Sequence, residues 1–124
     1  MSVQGSCHCG AVRFEAPEAP TRVFACNCSI CARRGALHAY YPADQFTLLT
    51  PPEALATYQW GRRLGSHCHC PVCGCPAFVK GPRFRDGKPD FERMMVGVNA
   101  RLLDGFDPEA VEIVRIDGKA FPAG

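Results

Sequence analysis

Nine cysteines in 124 residues constrain this chain more than any other feature, because they stand in three tight groups. The groups are Cys7 and Cys9, then Cys26, Cys28 and Cys31, then Cys68, Cys70, Cys73 and Cys75. Internal disulfides cannot use up an odd number, and a chain of this length can bury a core without cross-links. The segment 1–7 has neither the basic start nor the apolar run of a signal peptide, and no apolar stretch approaches a membrane span. The expected address is therefore cytoplasmic, where reducing conditions favour thiols that bind metal over thiols that pair. With 47% hydrophobic and 21% charged residues, the composition is that of one globular domain over residues 1–124. A formal net charge of +2 is too weak a field to make nucleic acid the expected partner.

Between the cysteine groups the sequence reads as short strands. The stretch 11–15 alternates apolar and polar residues before a break at Pro17, as a half-buried strand does. The stretches 37–41, 55–60, 94–98 and 111–116 are further candidates, each bounded by proline, glycine or polar turn residues. Eleven prolines and twelve glycines interrupt the chain too often for long helices. Short helical turns are expected after Cys28 and over 43–46, and the polar run 81–90 reads as an exposed loop. The expected fold class is mainly β: a single small zinc-containing domain of several short antiparallel strands with short helical turns.

Cys70-Pro71-Val72-Cys73-Gly74 carries the strongest local signal. Two cysteines separated by two residues turn their sulfurs toward one ion, and the glycine ends such a knuckle without steric cost. Cys7 and Cys9 supply the second half, since residues two apart in a strand share a face. Four thiolates make a closed site, the pattern of structural zinc, with iron as the competing metal. Without metal, the same residues would be unpaired buried thiols.

Cys26, Cys28 and Cys31 lie on one short loop-to-helix segment. Three protein ligands leave zinc a fourth position for water or substrate, and an all-thiolate shell suits an incoming small thiol. The alternative is a second structural zinc, completed by Cys68, Cys75, His38, His67 or His69. Arg33 and Arg34 follow the group directly. They can grip a substrate carboxylate by forked hydrogen bonds or simply solvate a surface. Tyr40, Tyr41 and Trp60 can line a cleft or fill a core. His8, His67 and His69 alternate with cysteines and are expected to face away from the metal.

These groups together resemble the glutathione-dependent formaldehyde-activating enzyme family, whose domain is shared with centromere protein V. The resemblance rests on Cys7-His8-Cys9-Gly10 with Val12 and Phe14, on residues 26–31, and on residues 70–74. Val98-Asn99-Ala100-Arg101-Leu102-Leu103-Asp104 and the late Asp117-Gly118 extend it. It implies a β-rich fold similar to that of the GTPase exchange-factor chaperones. It also implies a structural zinc on Cys7, Cys9, Cys70 and Cys73, and a catalytic one on Cys26, Cys28 and Cys31. The implied activity is condensation of glutathione with formaldehyde to S-hydroxymethylglutathione, a carbon–sulfur lyase reaction. Asn27 departs from the histidine common in the family, Ala32 from a basic residue, His69 from an aromatic one and Cys75 from a small hydroxyl residue.

The function expected from residues and resemblance together is a zinc-dependent enzyme making or breaking a carbon–sulfur bond on a small, glutathione-like thiol. The alternative is a non-catalytic interaction module with two structural zinc sites.

Overall fold

The computed structural model describes residues 1–120. In chain order its strands begin with β1 (Val3–Ser6), β2 (Arg13–Ala16), β3 (Arg22–Cys26), β4 (His38–Pro42) and β5 (Thr47–Leu48). There follow β6 (Ala56–Tyr58), β7 (Ser66–His69), β8 (Pro76–Arg85), β9 (Lys88–Asn99) and β10 (Glu112–Ile116). Among the described residues a single helix is longer than one turn, α1 (Ser29–Arg34), which follows Cys28, and a 3-10 turn covers Ala43–Gln45. The fold is mainly β, as the spacing of proline and glycine requires.

The strands form two sheets. One is three-stranded in the order β1-β2-β5, and the other is seven-stranded in the order β10-β3-β4-β9-β8-β7-β6. All neighbours are antiparallel except β10 and β3, which run parallel. Parallel neighbours need a long crossover, and most of the chain lies between Cys26 and Glu112. The core sits between the sheets. Phe14 and Ala16 of β2 pack with Val23, Tyr41, Val96 and Val98 of the large sheet, all buried. Phe46 bridges the two layers, its ring 5.7 Å from Phe14 and 4.9 Å from Phe78. No helix among the described residues is long and apolar enough to cross a membrane.

Strand alternation assigns the two faces of the large sheet. Ala39 opposite Val98, and Tyr41 opposite Val96, point into the core. The residues between them, His38 and Tyr40, therefore point to the other face, with Phe24, Gly97 and Val79. Helix α1 lies over part of that second face.

The run 81–90 is not a loop. It is the outer half of the β8–β9 hairpin, which closes through Asp86 and Gly87 at φ 54° and 75°. Both faces of this arm are largely exposed, so no apolar alternation marked it as strand. Pro82 is tolerated because the ladder shifts register between Pro82 and Arg83.

Candidate functional site

The cysteine groups fold into two thiol centres. In the first, the sulfurs of Cys7, Cys9, Cys70 and Cys73 all lie within 4.8 Å of one another. Cys9 Sγ stands 3.7 Å from Cys7 Sγ and 3.6 Å from Cys70 Sγ. A tetrahedron with metal–sulfur bonds of about 2.3 Å has edges of about 3.8 Å, so four thiolates in this arrangement fit zinc.

The local geometry corrects one expectation. Cys7 and Cys9 converge through a turn, not through the pleat of a strand. Gly10 N–H donates to Cys7 O at 3.2 Å and Val12 N–H to Cys7 Sγ at 3.3 Å. The second turn repeats this plan, with Gly74 N–H donating to Cys70 O at 2.9 Å and Cys73 N–H to Cys70 Sγ at 3.4 Å. Gly10 and Gly74 both sit at φ 83°, a left-handed conformation that a side chain would strain. The sequence marked Gly74 for this role; Gly10 is its counterpart.

Backbone N–H groups prepare this centre for negative charge. The N–H of Cys75, then that of Cys9, hold the Cys73 thiol down at about 5. For Cys9 the N–H of Ala11 pulls down, but burial and the thiols of Cys70, Cys7 and Cys73 outweigh it and push the group up to about 11. The four sulfurs thus crowd one another in a way that a central cation relieves. Cys75 lies beside Cys73 and Cys7 and takes the N–H of His8. Cys68 is buried in the core, 3.7 Å from Thr57 Oγ1 and from Ser66 O. Neither it nor Cys75 nor any histidine joins a convergent group among the described residues.

In the second centre, the sulfurs of Cys26, Cys28 and Cys31 also lie within 4.8 Å of one another. Cys26 ends β3, Cys28 is the N-cap of α1, and Cys31 falls in its first turn. Residues three apart share a helix face, which brings Cys31 back over Cys28. Cys28 N–H donates to Cys26 Sγ at 3.4 Å. Burial pushes the Cys28 thiol up, but the N–H of Cys31, the neighbouring thiols and the N–H of Ile30 bring it below its ordinary value. Cys31 is held well above its ordinary value by burial, then by its hydrogen bond with Cys28 and the charge of Cys28 and Cys26. All three residues are partly exposed, whereas Cys7 and Cys70 are buried.

The structure separates the two arginines. Arg33 turns back along α1, donating to Ser29 O at 2.9 Å. Arg34 reaches over the sheet, its Nη2 3.5 Å from His69 Nδ1, and lines a cavity with Cys31, His38, His67 and Asn99. That cavity, about 10 Å³, has room for roughly one water. Burial, then the charges of His67 and Arg34, hold His38 down at about 4, so it is neutral at physiological pH.

The tyrosines divide as strand alternation requires. Tyr41 is a core residue, 6% exposed, its hydroxyl donating to Glu18 O at 2.8 Å. Tyr40 is 43% exposed, on the face that carries the three thiols. Its ring stands edge-on to Phe24 at 5.4 Å and lies over Gly97, where a Cβ would come within 2.8 Å of Tyr40 Cε1. Burial of the phenol, then the charge of Cys31, Cys26 and Cys28, push its pKa up to about 12. Trp60 lies past β6, at the opposite edge of the sheet from β3.

The crystal structure of a Rhodobacter sphaeroides protein is similar, with a TM-score of 0.73 and 31% sequence identity over 91% of this chain and 99% of that one. The sequence model of the family described as glutathione-dependent formaldehyde-activating enzyme matches residues 2–114. That span takes in both turns of the first centre and the whole of the second, and the chain belongs to this family.

Proposed function

We propose that this chain, acting as one domain over residues 1–124, makes or breaks a carbon–sulfur bond in a small thiol adduct at the three-thiol centre. The carrying observation is the difference in ligand number. Four sulfurs close one tetrahedron, while three leave a position for a substrate. Cys7, Cys9, Cys70 and Cys73 would hold a structural zinc, and Cys26, Cys28 and Cys31 a second ion at the site of reaction. Zinc held by three thiolates supplies a soft Lewis acid that keeps a thiol ionised at neutral pH. The family description makes a glutathione-like thiol and formaldehyde the first substrates to test.

The surrounding side chains have complementary work in this reading. The sulfur lone pair of the thiolate forms the new bond to the carbonyl carbon, and the carbonyl π pair moves to oxygen. That oxygen then takes the proton lost from the thiol, giving an S-hydroxymethyl adduct, and cleavage reverses each step. Tyr40, protonated at neutral pH, offers its hydroxyl to this oxygen as negative charge develops. Arg34 offers a forked donor for a substrate carboxylate, while Arg33 is engaged with the helix backbone. The cavity behind Cys31 admits a water but no substrate, whereas a roomier cleft of about 260 Å³ beside Cys26 is lined by Asn27, Arg115 and Asp117. A cytoplasmic, reducing setting goes with this chemistry, because the thiols must stay unoxidised.

Thiols add to formaldehyde unaided, so the deciding experiment compares catalysed with background rates. Two zinc ions per chain, falling to one when Cys26, Cys28 and Cys31 are changed to serine, are expected together with adduct formation or cleavage above background. Rates equal to background for every thiol tried would sink the proposal. The alternative, an interaction module, draws on the exposed Phe84 (48%) and Phe91 (61%) of the β8–β9 arm. Two tightly held ions with no thiol binding would favour it.

A further inference from the structure

Asn27, inside the three-cysteine group, and Asp117, 90 residues later, meet in the fold. Parallel pairing of β10 with β3 sets Ile116 opposite Cys26, and Asn27 N–H continues the ladder to Ile116 O at 3.1 Å. Beyond that point the Asn27 side chain takes over. Its Nδ2 donates to Asp117 Oδ1 at 2.9 Å, and its Oδ1 accepts from Lys119 N–H at 3.0 Å. An amide carries both a donor and an acceptor, and both are used; a carboxylate at this position has only acceptors.

The latch holds the turn Gly118–Ala120 against the thiols. A Cβ on Gly118 would collide with Cys26 Sγ and stand 3.1 Å from Cys28 Cβ and 3.4 Å from Cys28 N. The requirement for glycine here is space, since the Gly118 backbone packs directly on the sulfur. Three neighbouring cysteines therefore do not define their centre alone, because one side of Cys26 is covered by a segment from the far end of the chain.

We propose that the C-terminal turn is a wall of the three-thiol centre, with Gly118 and Asn27 as positioning residues. Gly118 sets and covers Cys26 Sγ, and Asn27 locks Gly118 in place. A metal ion held by Cys26, Cys28 and Cys31 thus depends on a clasp that lies outside the cysteine motif.

The test uses the full chain loaded with cobalt(II), whose sulfur-to-metal absorption reports the thiolates bound at each centre. The parent protein is expected to take up two ions with distinct spectra. Gly118→Ala is expected to weaken the ion at the three-thiol centre by about 10–100-fold and alter its absorption, as loss of a supporting contact does. The first ion and the far-UV circular dichroism should be unchanged. Asn27→Ala, an exposed side chain with no part in the core, should shift affinity in the same direction. The exchange N27D/D117N restores one amide facing one carboxylate and should recover the parent spectrum, which a general loss of stability would not do. Parent affinity and spectrum in either Gly118→Ala or Asn27→Ala overturns the proposal, as does a parent chain that binds only one cobalt ion. If Gly118→Ala does not fold, Asn27→Ala and its rescue decide. Catalysis is not read, so failure of the carbon–sulfur chemistry leaves this result standing.

Discussion

The two thiol centres are built from similar parts across very different spans. The first joins turns whose cysteines are at least 61 residues apart, and the second draws its sulfurs from six consecutive residues. Closing a long loop removes much conformational freedom, so an ion in the first centre is coupled to folding of the whole chain. An ion in the second fixes a segment already shaped by β3 and α1. Burial divides the centres only in part: Cys7 and Cys70 lie in the core but Cys9 is exposed, while Cys26, Cys28 and Cys31 are all partly exposed. On the proposed reading the closed centre would hold structure and the open one would be free for chemistry.

The largest expected effect tests that division directly. Cys70→Ser, or removal of metal by a chelator, should abolish the cooperative thermal transition seen by circular dichroism. The loss would approach the whole stability of a domain, about 5–15 kcal/mol. Cys26→Ser should cost less than about 2 kcal/mol and leave the transition cooperative. Equal unfolding by both substitutions would erase the distinction.

Acid should act on the side of the second centre, through His38. Burial holds this group near pKa 4 in the folded chain, against 6.5 for a freely solvated imidazole. As pH falls, the unfolded chain takes up the proton first, so stability declines between 6.5 and 4 and levels off below. The full contribution is about 3 kcal/mol. His38→Gln should flatten this part of the profile when denaturant midpoints at about pH 7.5 and about pH 5 are compared. An unchanged slope would remove His38 from the account.

Smaller effects sharpen the comparison. Gly74→Ala and Gly10→Ala place a side chain at left-handed φ and should each cost about 1–2 kcal/mol. The weakened zinc affinity should be confined to the first centre, as read by competition with a chromophoric chelator. Arg34→Gln should raise KM for a carboxylate-bearing thiol about tenfold, equivalent to about 1.4 kcal/mol. Arg33→Gln should leave it unchanged. Equal responses would mean that their separation by the fold has no bearing on the substrate.

Much of the site was legible because ligand spacing is a local property. Cys70 and Cys73 with Gly74, and Cys28 with Cys31, need only a turn and a helical start to bring their sulfurs together. Residues 11–15 betrayed themselves by alternation and 37–41 by the proline that ends them, and α1 and the turn over Ala43–Gln45 lie where the chain had room for them. The β8–β9 arm was illegible because a strand solvated on both faces has no apolar period to show. Adjacent Tyr40 and Tyr41 could not be told apart either, since the sheet face that is core is decided by what packs upon it.

The sequence by itself determined a mainly β chain with a knuckle, a second cysteine pair and a three-cysteine segment, because periodicity, turn residues and ligand spacing act over a few neighbours. It determined the family as well, since those motifs occur in a specific order. Only the tertiary structure decided that Cys68 packs into the core, that Arg34 and not Arg33 reaches the cavity, and that Tyr40 shares a face with the thiols. It alone brought Gly118 onto Cys26. These are outcomes of β10 joining β3 and of one sheet face being buried, contacts whose register is set by the whole core and by no single stretch of chain.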